Sequence, residues 1–341
     1  MLSKRGTLYE FLPLAMIITR TPLRVSLGGG GTDLPSYYRR NGGAVLSAAI
    51  NKYIFVSVNR TFGDDYFLKY AQLERAKSVG DIRHPIFREV LRRHSIGPSI
   101  EFVSMADIPS GTGLGSSGSF TVGLLKAVHA LKRNHMTSAE IAEEACSIEI
   151  DILGRPVGKQ DQYAASFGGI TYFEFSKDGT VAASPLAIAE GTLRELEEHL
   201  LLFFTGYSRD ADTVLLEQQV KSDQGERSML KSLDFIKEIG TASKKALERG
   251  DTSTFGTLMN EHWEHKKRRS TAMSNSNIDN WYRRALDEGA LGGKLVGAGA
   301  GGFLLFYAKD QDPVRTAMAA EGLSEIRIMF DHDGSTVLVR D

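Results

Sequence analysis

Asp107-Ile108-Pro109-Ser110-Gly111-Thr112-Gly113-Leu114-Gly115-Ser116-Ser117-Gly118 decides the fold of this chain. The segment follows a strand-like run, Ile100 to Met105. It opens a helix in which Phe120, Leu124, Val128 and Leu131 recur at helical spacing. A glycine-rich loop at a helix N-terminus offers unpaired N–H groups and the positive end of a dipole, which stabilise a phosphate. The serine hydroxyls add a phosphate or metal contact. Common loop motifs fit poorly. Gly113 to Gly118 matches G-x-G-x-x-G, but so does Gly297 to Gly302, and Ala106 to Thr112 separate the first match from its strand. A P-loop needs Gly-Lys before Ser or Thr, and Gly158-Lys159-Gln160 and Gly293-Lys294-Leu295 both fail. A hydrolase elbow needs G-x-S-x-G, which Gly115 to Ser119 misses.

Two more glycine clusters lie on either side. Arg24-Val25-Ser26-Leu27-Gly28-Gly29-Gly30-Gly31-Thr32-Asp33 sets four glycines between opposite charges, so its backbone can approach a polar ligand closely. Gly292 to Gly302 runs into a strand-like segment over 302–308, and its Gly297 to Gly302 part is expected to close on the middle loop rather than do chemistry.

The surrounding chain reads as α+β. Strands are predicted at 16–19, where the chain enters a loop at Thr21-Pro22, and at 53–58, 100–105, 170–175, 199–204, 302–308, 324–330 and 336–340. Helices are predicted over 213–250 and 253–269. Ile141, Ala145 and Ile148 mark another, which carries Glu149 and ends near Gly154. At 341 residues the chain predicts about two domains, with a boundary near 190–210, hence units of 1–200 and 201–341. Met16 is a second candidate start, so residues 1–15 carry no weight in this reading.

Composition excludes several classes. Forty-one basic against 42 acidic residues give a net charge of −1, with no global case for a nucleic-acid or membrane-surface partner. No apolar run approaches the ~20 residues that span a bilayer. The single cysteine, Cys146, allows no intrachain disulfide and suits a reducing, cytoplasmic setting.

Three glycine loops in this order resemble the GHMP small-molecule kinases. Their central motif, Pro-x-x-x-Gly-Leu-Gly-Ser-Ser-Ala, is followed from Pro109 to Ser117, with Gly118 in the alanine's place. The resemblance implies a two-domain α+β fold. Its N-terminal domain would be like domain 2 of ribosomal protein S5, its C-terminal domain ferredoxin-like, and ATP would lie between them. Gly30-Gly31 stand where the sugar-kinase branch commonly has Glu-His, which argues against a simple galactokinase. Arg20 to Pro35 and the middle loop look most like the heptose 7-phosphate kinase branch. That implies ATP-dependent phosphorylation of a C1 hydroxyl, with L-fucose or another hexose as the alternative substrate.

The same resemblance assigns roles. ATP phosphates go to Pro109, Gly111, Thr112, Gly113, Leu114, Gly115, Ser116, Ser117 and Gly118, and Mg2+ to Ser117 and Glu149. Asp161 becomes the base and Arg24 the group that stabilises transferred charge. In Pro156-Val157-Gly158-Lys159-Gln160-Asp161 one residue more than the family pattern precedes the aspartate. Gly30, Gly31, Thr32, Asp33 and Gly299 fall to the sugar. The basic run His265-Lys266-Lys267-Arg268-Arg269 is expected to supply at least one contact, Lys267 among the candidates, to the phosphate of a sugar phosphate. The expected partners are ATP and that sugar phosphate, with no nucleic acid or membrane and room for a homodimer. His262 and His265 lack the H-E-x-x-H arrangement, and no zinc is expected there.

Overall fold

The computed structural model describes residues 16–206, 211–270, 273–299 and 301–340. From the N-terminus it runs β1 (Ile17–Gly28), α1 (Pro35–Asn41), β2 (Gly43–Arg60), β3 (Tyr66–Lys69), β4 (Leu73–Ala76), α2 (Pro85–Arg93), β5 (Ile100–Ala106), α3 (Ser116–Leu131), α4 (Ser138–Cys146), α5 (Gln160–Phe167), β6 (Ile170–Phe175) and β7 (Val181–Pro185). It continues with α6 (Glu190–His199), β8 (Leu200–Phe204), α7 (Ala211–Asp223), α8 (Arg227–Glu248), α9 (Thr252–Lys267), α10 (Ser276–Asp287), β9 (Gly292–Leu295), β10 (Phe303–Tyr307), α11 (Asp312–Ala320), β11 (Ser324–Ile326) and β12 (Thr336–Arg340).

Among the described residues these strands make two sheets. One is ordered β12-β1-β2-β5-β3-β4, with β6 and β7 branching from the first half of β2. The other is β11-β8-β10-β9, antiparallel throughout. The period-2 alternation of the second sheet decides its two faces. Leu202, Leu305 and Tyr307 join the core shared with the first sheet, while Leu201, Phe203, Leu304 and Phe306 pack under α10 and α11.

The structure corrects four expectations. First, β1 does not stop at Thr21-Pro22 but runs to Gly28. A register shift between Pro22 and Leu23 accommodates a residue with no N–H to give the ladder. Arg24 therefore stands on a strand, and its N–H donates to the Leu114 carbonyl of the middle loop at 3.0 Å. Second, the helix expected over 213–250 is two, α7 and α8, parted at Gly225, whose φ of 71° no ordinary helix residue adopts. Third, the strand expected over 324–330 ends at Ile326. Ile328 and Phe330 pack into the first core instead, and Phe330 bridges Ile50. Fourth, the turn carrying Glu149 is a π-helix, Ser147–Ile152, a wider winding than the α-helix expected there.

The last strand, β12, leaves the second sheet's neighbourhood and pairs with β1. The span 201–341 thus contributes one strand to the first sheet. No described helix is long and apolar enough to cross a membrane.

Candidate active site

The site lies where the two sheets and their loops meet. Gly113 of the middle loop and Gly297 of the third approach so closely that a Cβ on Gly297 would lie 2.5 Å from the Gly113 Cα. A Cβ on Gly302 would lie 2.2 Å from the Thr112 carbonyl oxygen. The third loop does close on the middle loop, and glycine is what lets the two backbones touch.

Arg24 and Asp161 face each other beside that contact. Arg24 Nε donates to Asp161 Oδ1 at 2.8 Å, and Nη2 reaches the same oxygen at 2.6 Å. Its Nη1 donates to the Gly113 carbonyl at 2.6 Å. The arginine side chain is 7% exposed and the aspartate 30%. Both bonds land on Oδ1, which leaves the second carboxylate oxygen to the cavity the residue lines. Asp161 sits in the first turn of α5, which packs on α3 at Gly118: a methyl there would lie 2.7 Å from the Asp161 Cβ. The glycine that departs from the family pattern and the aspartate preceded by an extra residue are thus in direct contact.

Glu149 is fully buried. Its Oε2 accepts from Ser117 Oγ at 2.5 Å and from Arg155 Nη1 at 2.7 Å, and its Oε1 accepts from Gln162 Nε2 at 2.9 Å. Arg155 Nη1 also reaches Ser117 Oγ. The hydroxyl and carboxylate expected to hold Mg2+ are therefore adjacent, and they are the hard oxygen donors this ion prefers. The Arg155 guanidinium supplies the positive charge a buried carboxylate requires. The pair fits a divalent cation, with Arg155 as the group that would make room.

Asp33 is buried at the N-terminus of α5. Its Oδ1 accepts from the Gly31 N–H at 3.0 Å and its Oδ2 from the Gln160 N–H at 3.1 Å. Burial raises its pKa, with the neighbouring Asp161 adding to the rise and the backbone donors opposing it.

A cavity joins these groups. Arg24, Asp161, Asp33, Gly30 and Gly31 line it from the first unit, and Lys266, Arg269, Lys294, His262 and Gly297 from the second. Lys266 Nζ caps the third loop through the carbonyls of Leu295 (3.0 Å) and Gly297 (2.5 Å). Burial, then the charges of Arg269 and Arg24, pull its pKa down to about 7. Lys294 Nζ lies 3.4 Å from His262 Nδ1, and burial holds both groups well below their ordinary pKa values. Arg269 is buried, with Nη2 unpartnered and Nε donating to Ser232. Burial and mutual repulsion hold these basic groups short of full charge, and an anion beside them favours their charged forms.

Several expected residues do not line this cavity. Lys267, one position from Lys266, points away, pairs with Glu264 at 2.7 Å and covers the Trp263 and Tyr282 rings. Thr32 is buried and spends its hydroxyl on the Gly29 and Ala44 carbonyls. Gly299 abuts Met273 instead. The basic run reaches the cavity through Lys266, in the last turn of α9, and Arg269, in the turn just past the helix end at Arg268. Lys294 was legible in the sequence only as a failed P-loop lysine. On β9 it alternates with Leu295, which packs in the second core, so its own side chain turns to the cavity.

The chain matches the family model for the GHMP kinases N terminal domain over residues 82–169 and that for GHMP kinases C terminal over 243–323. It is 35% identical over 311 residues to the D-glycero-alpha-D-manno-heptose 7-phosphate kinase of Campylobacter jejuni, covering 88% of this chain and 90% of that one. It is also similar to a crystal structure titled a D-glycero-D-manno-heptose 1-phosphate kinase from Bacteroides thetaiotaomicron (TM-score 0.78, 26% identity, 94% and 98% of the two chains). A crystal structure of a sugar kinase from Campylobacter jejuni matches with a TM-score of 0.76 and 30% identity over 96% and 98%. The chain belongs to the GHMP kinase family, with its two-domain fold and its ATP-dependent phosphotransferase activity.

Proposed function

We propose that this chain transfers the γ-phosphoryl of ATP to the C1 hydroxyl of D-glycero-D-manno-heptose 7-phosphate, giving the 1,7-bisphosphate. The observation that carries this reading is the cavity itself. It holds an aspartate–arginine pair suited to a hydroxyl acceptor together with three buried basic side chains suited to a phosphate the sugar already bears. The Campylobacter relative's name supports the heptose and its 7-phosphate. The Bacteroides structure's title gives the phosphate at position 1 instead, so the position of the second transfer is part of the proposal. The product would feed GDP-heptose and surface-polysaccharide synthesis in the cytoplasm.

Phosphoryl transfer asks for position and electrostatics more than covalent chemistry. The middle loop and the N-terminus of α3 would cradle the ATP phosphates. Ser117 Oγ and the Glu149 carboxylate would hold Mg2+, which when bound neutralises charge on the phosphate oxygens. Asp161 would orient the C1 hydroxyl and accept its proton at the oxygen Arg24 leaves free. Arg24, fixed by Asp161 and the Gly113 carbonyl, would meet the charge of the transferred group. Asp33 would accept a sugar hydroxyl through lone pairs its two backbone bonds leave available. Lys266, Arg269 and Lys294 would bind the 7-phosphate.

The depressed Lys266 pKa, about 7, gives the pocket a pH signature. An anion beside the amine raises that pKa, so binding takes up a proton above pH 7 and weakens as pH rises through that region. Calorimetry of sugar-phosphate binding in buffers of different ionisation enthalpy should show proton uptake at pH 8 that diminishes below pH 6. Buffer-independent heats at both values would remove Lys266 from the anion site. The reaction itself is tested by ATP turnover on the heptose 7-phosphate against the same heptose without its phosphate.

A further inference from the structure

We propose that His94, His129 and Glu144 form a structural metal site, outside the catalytic cavity, for a divalent ion of the zinc class. The three residues come from three elements: His94 at the C-terminal end of α2, His129 in the last turn of α3 and Glu144 on α4. One ligand atom from each lies within 4.8 Å of the others. His129 Nε2 is 2.8 Å from Glu144 Oε2, and His94 Nε2 is 3.0 Å from Oε1. The side chains are 9% (His94), 7% (His129) and 11% (Glu144) exposed.

His94 Nε2 and His129 Nε2 thus reach different oxygens of the one Glu144 carboxylate. The two imidazoles pack edge to face, with centroids 4.7 Å apart, so their Nε2 atoms converge on the carboxylate from different directions. Two imidazoles and one carboxylate are a donor set zinc takes with one position left to water. Two cations border the cluster: the half-exposed Arg93, whose Nε donates to Oε1 at 3.0 Å, and Lys132, whose Nζ donates to the His94 carbonyl. Arg93 can swing to solvent when an ion arrives. His129 Nδ1 is buried and unpartnered with or without an ion. An ion here would pin α2, α3 and α4 together at the end of α3 opposite the phosphate loop.

The test is Co2+ titration of the metal-stripped chain in excess Mg2+. The expected result is saturation at one ion per chain with the visible ligand-field band of a four- or five-coordinate ion. Zn2+ should discharge the band, and the bound ion should raise Tm. His94→Gln and Glu144→Gln should each abolish both signals, while Glu149→Gln, which alters the catalytic cation pair, should leave them. No visible band in the wild-type chain overturns the proposal without recourse to any variant. So does a band that survives His94→Gln or disappears with Glu149→Gln.

Discussion

Asp161→Asn is expected to lower kcat by about 10²- to 10⁴-fold, the range a positioned general base contributes. The fold and ATP affinity should hold. The change is isosteric, the side chain is 30% exposed, and an amide oxygen can still accept from Arg24 Nε and Nη2. What is lost is the basicity of the oxygen facing the cavity. The measurement is steady-state turnover alongside ATP binding by calorimetry. A kcat within about tenfold of wild type would assign the residue to holding Arg24 rather than to moving a proton. A fall in ATP affinity with kcat preserved would give it the same structural role, through the Arg24–Gly113 contact.

Lys294→Met is expected to move binding and stability in opposite directions. Lys294 is 2% exposed although β9 is an edge strand, with Lys266, Arg24 and Arg269 as its charged neighbours and a histidine as its one hydrogen-bond partner among the described residues. Replacing a buried ionisable group with a well-packed apolar one of similar volume is often neutral or stabilising, by on the order of 1–4 kcal/mol. A hydrogen bond to a charged group is worth about 1.5–3 kcal/mol, or about 10- to 100-fold in affinity. The variant should therefore melt higher and bind the sugar phosphate about 10- to 100-fold more weakly, with ATP binding unchanged. Thermal denaturation and titration calorimetry read both. A destabilised variant with wild-type sugar affinity would make Lys294 a packing residue and leave the pocket to Lys266 and Arg269. Such opposition is expected of a site that holds uncompensated charge for a ligand.

The sequence made the loops legible because glycine is required wherever two backbones meet, and the Gly113–Gly297 contact demands it on both sides. The loop serine and the helical glutamate were legible for a different reason: phosphate and Mg2+ chemistry restricts the residue types that can stand there. Ser117 and Glu149 do converge, across 32 residues of sequence. The anion pocket was legible only as a basic run. Whether Lys266 or Lys267 faces inward depends on the rotational phase of α9, which Phe255, Met259 and Trp263 mark; the expectation of Lys267 read the basic run without that stripe. Lys294 needed the pairing of β9 with β10 before its direction could be read. Arg155 gave no signal at all, because its partner Glu149 reaches it through a π-helical turn whose phase differs from the α-helix the spacing suggested. The same limit hid the continuation of β1 past Pro22, which depends on a register shift set by β2.

The most direct test of the account compares kcat/KM for D-glycero-D-manno-heptose 7-phosphate with that for the same heptose lacking the phosphate, with ATP and Mg2+. The product is identified by phosphorus coupling to the anomeric proton. The account predicts a 1,7-bisphosphate and a preference for the phosphorylated sugar of at least about 100-fold, the worth of one or two charge-assisted contacts in the Lys266–Arg269–Lys294 pocket. Equal turnover of the two sugars, or faster turnover of L-fucose, would keep the phosphoryl-transfer chemistry but contradict the anion pocket. Transfer to any hydroxyl other than C1 would contradict the role given to Asp161.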